Sequence, residues 1–329
     1  MSSVENLFES FKGAKALIIG DVMVDSYIWG KVDRISPEAP VPVVHAIKRE
    51  KRLGGAANVA LNVLALGATP ILCSIIGDDK DGNDFIQIMK TRGMQTRGII
   101  QSDKRITTLK ERILSGSQHM LRVDTESNLP LQALEERSLT QLIGKLIPES
   151  DVVIFEDYDK GTITPDIITK TIEIAKAHNI PVVVDPKKVN FLSYKGVTLF
   201  KPNLKELREG LKMDIDSSNE ADIQLAVEKL REELDAEQVL VTLSEKGLYY
   251  DTGKEKTWIP AHIRLISDVS GAGDTVISIA AIGLAVKMPA KQLAALANLG
   301  GGLVCEYIGV VPVPKDRLME EAIKKNILE

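Results

Sequence analysis

The chain has 329 residues, 44% hydrophobic and 26% charged with 24 Gly and 14 Pro, an ordinary globular composition long enough for one large α/β domain or two small ones. A net charge of −5 and a pI near 5.6 exclude the broad basic face that phosphate backbones demand, so no nucleic-acid partner is expected. Met1-Ser2-Ser3-Val4-Glu5-Asn6 has no basic n-region, and the longest apolar run, 276–286, is far short of the ~20 residues that span a bilayer, so the expectation is a cytoplasmic protein with no membrane partner.

The first apolar run, 16–19, opens a series of short β-rich segments, followed by 71–76, 152–155, 182–184 and 239–241. Each is apolar almost without alternation, the pattern of strands buried on both faces. Helical patterns lie between them, including 218–234, where Ile223, Val227, Leu230 and Leu234 recur at three- and four-residue steps. This alternation predicts a mostly parallel sheet with helices on both faces and a ligand site beyond the carboxyl ends of the strands. Cys73 and Cys305 sit in apolar surroundings without C-x-x-C spacing and read as reduced core thiols.

Two stretches break the rhythm. Residues 27–48 carry Pro37, Pro40 and Pro42 around short β segments, and residues 105–124 read as two strands around Ser115-Gly116-Ser117. Neither has room for a crossover helix, so a small appended β-sheet is expected, either a cover over the site or a decorative hairpin.

The most informative segment is Asp268-Val269-Ser270-Gly271-Ala272-Gly273-Asp274-Thr275, leading into an apolar helix. Glycines at a helix start let backbone N–H groups converge where the helix dipole favours an anion. Asp274, the only acid between Asp268 and Glu306, is then the candidate to take a proton from a hydroxyl. The bland alternative is a helix start whose Asp merely complements the dipole. No G-x-x-x-x-G-K-S/T loop, no G-x-G-x-x-G after a strand and no H-R-D element is present, which removes the main support for a P-loop NTPase, a Rossmann dehydrogenase or a protein kinase.

Residues Asp268 to Asp274 resemble the C-terminal signature of the ribokinase-like (PfkB) carbohydrate kinases. Gly54-Gly55-Ala56-Ala57-Asn58-Val59-Ala60, with Gly67 and Gly77, resembles the N-terminal signature, and Lys201-Pro202-Asn203-Leu204-Lys205-Glu206 the family's Asn-x-x-Glu element. Together they cover about residues 15–315. The resemblance implies a single ribokinase-like kinase domain over 1–329, with a discontinuous β lid at about 27–48 and 105–124. It implies Asp274 as base, with the amides of Gly271, Ala272 and Gly273 as an anion hole. Asn203 and Glu206, flanking Leu204 and Lys205, would lie near the triphosphate and its Mg²⁺, Glu206 reaching the metal through water. The same pair also reads as an N-cap and its capping partner. Thr242, Ser244 and Gly247 resemble the nucleotide loop, and Asn298 the purine pocket. Asp25 resembles the acid that grips a sugar diol, while Gly54, Gly55 and Asn58 would face sugar hydroxyls. ATP and Mg²⁺ are the implied cofactors, a monovalent cation stays open, and a homodimer through the β lid is expected.

Further segments resemble one subfamily, the D-glycero-β-D-manno-heptose 7-phosphate kinases of lipopolysaccharide precursor synthesis. They are Gly20 to Asp25, Trp29-Gly30, Arg34 to Pro42, Asp157-Tyr158 with Lys160-Gly161, Asp185-Pro186-Lys187, Gln118 and Arg122-Val123-Asp124. A sugar already carrying a phosphate needs cations, and Arg34, Lys110, Arg112, Lys160 and Lys187 are the expected cluster. Ile279, Asp159 and Lys188 depart from the usual pattern. The four histidines, His45, His119, His178 and His262, form no H-x-G-H pair, so a kinase without a fused nucleotidyltransferase is expected. The rival readings are a kinase of another sugar, sugar phosphate or nucleoside, and a non-catalytic ligand-binding regulator on the same fold.

Overall fold

The computed structural model describes residues 3–116 and 118–327; Ser117 of the expected turn lies outside them. The strands are β1 (Lys15–Gly20), β2 (Val22–Ile35), β3 (Pro42–Gly55), β4 (Thr69–Gly77), β5 (Ile99–Ser102), β6 (Leu109–Ser115) and β7 (Gln118–Thr125). They continue with β8 (Val152–Glu156), β9 (Val182–Asp185), β10 (Leu199–Phe200), β11 (Gln238–Thr242), β12 (Leu248–Asp251) and β13 (Lys256–Ile259). The helices are α1 (Ser3–Ser10), α2 (Ala56–Leu66), α3 (Lys80–Thr91), α4 (Ala133–Leu146) and α5 (Pro165–Ala177). After them come α6 (Leu204–Leu211), α7 (Glu220–Leu234), α8 (Ala272–Ala285), α9 (Ala290–Val304) and α10 (Lys315–Lys324).

Among the described residues the large sheet runs β13-β12-β11-β10-β9-β8-β1-β4-β5, parallel except for the antiparallel β11-β12-β13 meander. Successive residues of β1 point to opposite faces. Ala16 and Ile18 join a core beneath α2, α8 and α9, whereas Leu17 and Ile19 join a second core beneath α4, α5 and α7. Burial on both faces is why these strands read as unbroken apolar runs. Helix α7 starts at Glu220 rather than 218. Asp216 accepts from both the amide and the hydroxyl of Ser218, and Asn219 takes the cap by accepting from the Ala221 amide.

The second sheet has the order β3-β2-β6-β7. Its outer pairs are antiparallel, but β2 and β6 run parallel, from Val24 opposite Leu109 to Gly30 opposite Ser115. The first ribbon is longer than its expected 27–48, since β2 leaves β1 after the single residue Asp21 and β3 continues to Gly55 at the start of α2. No helix among the described residues is long and apolar enough to cross a membrane.

Candidate active site

Three carboxylates meet at the carboxyl edge of the large sheet. Glu156 ends β8 and Asp185 ends β9, and the two stand level in the parallel register, so their side chains share a face. Asp274 arrives from the first turn of α8. That helix starts from Gly271 in the left-handed conformation (φ 80°), which glycine adopts without the Cβ penalty. One carboxylate oxygen from each acid lies within 4.8 Å of the other two, and all three residues are buried.

Asp274 is held on both oxygens. Asn58 Nδ2, from the first turn of α2, donates to its Oδ2 at 2.6 Å, and the Tyr158 hydroxyl donates to its Oδ1 at 3.0 Å. Burial pushes the Asp274 carboxyl above its ordinary value; the Asn58 bond pulls it back and the Asp185 charge adds to the rise. The loop carrying Tyr158 is pinned by Asp21, whose carboxylate accepts from the amides of Tyr158, Lys160 and Thr162 at 2.9–3.1 Å.

Two lysines face the acids. Lys201 Nζ lies 2.7 Å from Asp185, and Lys187 Nζ lies 2.6 Å from Glu206 while also covering the Tyr158 ring. Burial works against the Lys201 charge, but Asp185 and Glu206 outweigh it and hold that ammonium above its usual range. Glu156 is pushed well up, first by burial and then by the Asp185 and Asp274 charges.

A cavity of about 810 Å³ opens on the far side of the α8 start. Asn203, Leu204, Lys205, Thr242, Ser244, Gly247, Ala272, Gly273 and Asn298 all line it. Asn203 and Glu206 form a reciprocal capping box on α6, with bonds of 2.9 and 2.8 Å, so their capping role is real in this fold. Glu206 itself turns to Lys187.

The cavity thus reaches a helix N-terminus beside a buried acid, and a family profile described as pfkB family carbohydrate kinase matches residues 14–316. The chain belongs to the pfkB family of carbohydrate kinases. This pfkB kinase is 38% identical over 330 residues to "Bifunctional protein HldE" of Syntrophotalea carbinolica, covering 100% of this chain and 66% of that protein. It is 39% identical over 315 residues to the protein of the same name from Pelobacter propionicus, covering 94% and 64%. The chain therefore spans just under two thirds of the length of these curated relatives. Phosphofructokinase-2 from Escherichia coli in complex with substrates and products shares the fold at TM-score 0.79 and 16% identity, over 96% of this chain and 100% of that one. Arabidopsis thaliana ribokinase complexed with ribose and ATP matches at TM-score 0.73 and 16% identity, over 94% and 99%.

Several expected contacts of this kinase need correction. The five cations do not form one cluster. Arg34 is exposed opposite Val43, nine residues beyond Asp25 along β2, roughly 30 Å away at about 3.3 Å per residue. Gln118 pairs with Ser115 near that same distant end. Lys160 pairs with Glu126, and Lys187 with Glu206. Arg112 forms an ion pair with Asp25 and lies over the Tyr27 ring, while Lys110 is the residue level with Asp25 in β6. Asp157 faces inward, accepting from Tyr194 Oη at 2.7 Å, Asn190 Nδ2 at 3.2 Å and its neighbour Asp159's amide at 2.9 Å. The Ala272 amide donates to Val269 O at 3.3 Å, just ahead of α8, so the first-turn amides without a backbone partner among the described residues are those of Gly273 and Asp274. Gly54 and Gly55 link β3 to α2, and a Cβ on Gly54 would run into the Asp25 carboxylate.

Sequence reasoning passed over Glu156 and the segment 261–266 that lines the cavity, and it named Asp185, Lys201, Tyr158 and Asp21 only within resembling segments, without a role of their own. A signal existed for two of them: parallel strands ending in Phe155-Glu156 and Val184-Asp185 bring their final acids level.

Proposed function

We propose that this kinase transfers the terminal phosphoryl group of ATP to the anomeric hydroxyl of D-glycero-β-D-manno-heptose 7-phosphate, giving the 1,7-bisphosphate used in lipopolysaccharide core precursor synthesis. The observation that carries the reaction is the Asn58–Asp274 bond. It ties the glycine loop on the sugar side to the helix start that faces the nucleotide cavity. The heptose assignment is supported by the segments shared with the heptose kinases and by relatives at 38–39% identity.

In this reading Asp274 accepts the proton of the acceptor hydroxyl as that oxygen bonds to the γ-phosphorus, and the bond to the β,γ-bridging oxygen breaks to release ADP. Asn58 fixes the carboxylate direction, and its Oδ1, buried without a partner among the described residues, is left to accept from a sugar hydroxyl. The amides of Gly273 and Asp274 meet the charge on the phosphoryl oxygens. Asp25, oriented by Arg112, accepts from ring hydroxyls. The all-oxygen carboxylate set suits a hard cation; Mg²⁺ bound with ATP would be held by Glu206 through water and by Asp185, and would supply neutralisation of phosphate charge.

We assign the four-stranded sheet as a cover and a dimer surface. Its edge strands β3 and β7 expose Ile47, Leu121 and Val123, and unpaired edges invite a second chain.

The test is ADP formation with ATP, Mg²⁺ and a panel of heptose 7-phosphate, ribose, fructose 6-phosphate and adenosine. The heptose phosphate should show the highest kcat/KM. A better substrate among the others would overturn the heptose assignment.

A further inference from the structure

One side of the nucleotide cavity is built from residues 261–266, between the end of β13 and the start of α8, where no helix or sheet ladder holds the chain. Ile263 and Ile266 line the cavity yet stay exposed, so apolar packing does not fix this wall either. Polar ties to the last turns of α9 do. Asn298 Nδ2 donates to Pro260 O at 2.9 Å, and the amides of Ser267 and Asp268 donate to Cys305 O at 2.8 and 3.2 Å. Between these ties Arg264 crosses α9 at Gly302, where an added Cβ would press on its Nε at 3.2 Å.

The Arg264 guanidinium continues past α9 to two acids. Its Nη1 donates to Glu306 Oε1 at 2.6 Å, and its Nη2 pairs with Glu321 of α10. Arg317 ties both acids from the other side, at 2.6 Å to Glu306 and 3.5 Å to Glu321. Exposed ion pairs contribute little, but the Arg264 side chain is only 7% exposed, and a guanidinium buried between two carboxylates is held firmly. Arg264 lines the cavity, whereas Glu306 and Glu321 do not.

We propose that Arg264 is a positioning residue for ATP: clamped by Glu306 and Glu321, it sets the cavity wall, so that α10 governs nucleotide affinity without touching the nucleotide. The inference rests on reading this cavity as the ATP site. Helix α10 has its own anchor in the core through Leu318 and Ala322, so loss of the Glu321 charge loosens Arg264 and leaves the helix in place. The start of α8 is also secured separately. Asp268 accepts from the Ser270 amide and hydroxyl at 3.0 and 2.8 Å and from the Gly309 amide at 2.8 Å. The signature of the clamp is therefore a loss of nucleotide affinity with the chemistry preserved.

The experiment measures ATP·Mg²⁺ binding by calorimetry without sugar, then KM for ATP and kcat with the sugar of the panel that turns over fastest. Glu321→Gln, Arg264→Met and the double variant are compared with the wild type. Glu321→Gln should weaken ATP binding and raise KM for ATP severalfold, and Arg264→Met about tenfold or more, with kcat kept within about twofold. The double variant should bind no more weakly than Arg264→Met, because Glu321 acts only through Arg264. Unchanged affinity in Glu321→Gln overturns the proposal, as do losses that multiply in the double variant or a fall in kcat at constant KM. If Arg264→Met does not fold, Glu321→Gln and Glu306→Gln, whose acids lie outside the cavity, decide in its place. A wild type without affinity for ATP would overturn the reading of the cavity and this inference together. An ATP-binding wild type whose affinity survives Glu321→Gln sinks this inference alone.

Discussion

Asn58 Nδ2 lies 2.6 Å from Asp274 Oδ2, joining α2 to α8 between residues 216 positions apart. The bond favours the ionised carboxylate and opposes the upward push of burial. Asn58→Ala removes that stabilisation, so Asp274 should hold its proton to higher pH. The expected outcome is a fall in kcat/KM of about a hundredfold, in the range found for a lost preorganised donor. The acid limb of the pH–rate profile should also move upward. An unshifted limb would show that Asn58 acts on the sugar and not on the base.

Asp274→Asn keeps the shape and can keep the Asn58 bond through its amide oxygen, with its NH2 turned to Tyr158 Oη, but it cannot accept the proton. Turnover should fall by about 10²–10⁴, the usual contribution of a positioned general base, or more. ATP affinity, measured by calorimetry, should change little because the cavity lining is untouched. Near-normal turnover would remove Asp274 from the chemistry.

Asp274 was legible from the chain alone because a single acid follows glycines at a helix start, and both facts are local. The cavity residues Asn203, Thr242, Ser244, Gly247 and Asn298 were legible only through resemblance, and the structure brings them to one pocket. Glu156 carried only a partial signal, an acid that ends a buried strand, since strand periodicity says nothing about which residue of the next strand stands level with it. The fate of the basic residues was also hidden. Whether Lys187 meets a ligand or Glu206 depends on side-chain directions across two elements that are 19 residues apart. Arg34 shows the same limit in another form, because its distance from Asp25 is set by β2 being one continuous strand from Val22 to Ile35 that holds both residues.

Arg112 illustrates the consequence for specificity. It pairs with Asp25 and lies over Tyr27, so its main effect is to hold the sugar-gripping acid. Charge-assisted bonds of this kind contribute roughly 1.5–3 kcal/mol, enough for a tenfold or larger change. Arg112→Ala should therefore lower kcat/KM for heptose 7-phosphate and for free heptose by the same factor. A loss confined to the phosphorylated sugar would instead make Arg112 a direct phosphate ligand.

Asp157 offers a test of the scaffold under the site that is independent of turnover. Burial, and then the charge of Asp21, push its carboxyl up to about 6, although Asp159's amide, Tyr194 and Asn190 all pull it down. An aspartate in an unfolded chain ionises near 3.9. Below about pH 4 the group is protonated in both states, and its contribution to folding is fully present. Between about pH 4 and pH 6 the unfolded chain releases the proton while the folded chain keeps it, so stability declines as pH rises, and above about pH 6 the contribution is gone. A gap of about two pKa units corresponds to roughly 3 kcal/mol in full, of which about 2 kcal/mol falls between pH 4.5 and 7.5. Asp157→Asn cannot ionise and should lack this slope. Urea unfolding of both proteins at pH 4.5 and 7.5 measures it directly. The stability of the wild type relative to Asp157→Asn should be about 2 kcal/mol lower at the higher pH. A difference that is the same at both values would mean that Asp157 ionises in the ordinary aspartate range, and that its three hydrogen bonds outweigh burial.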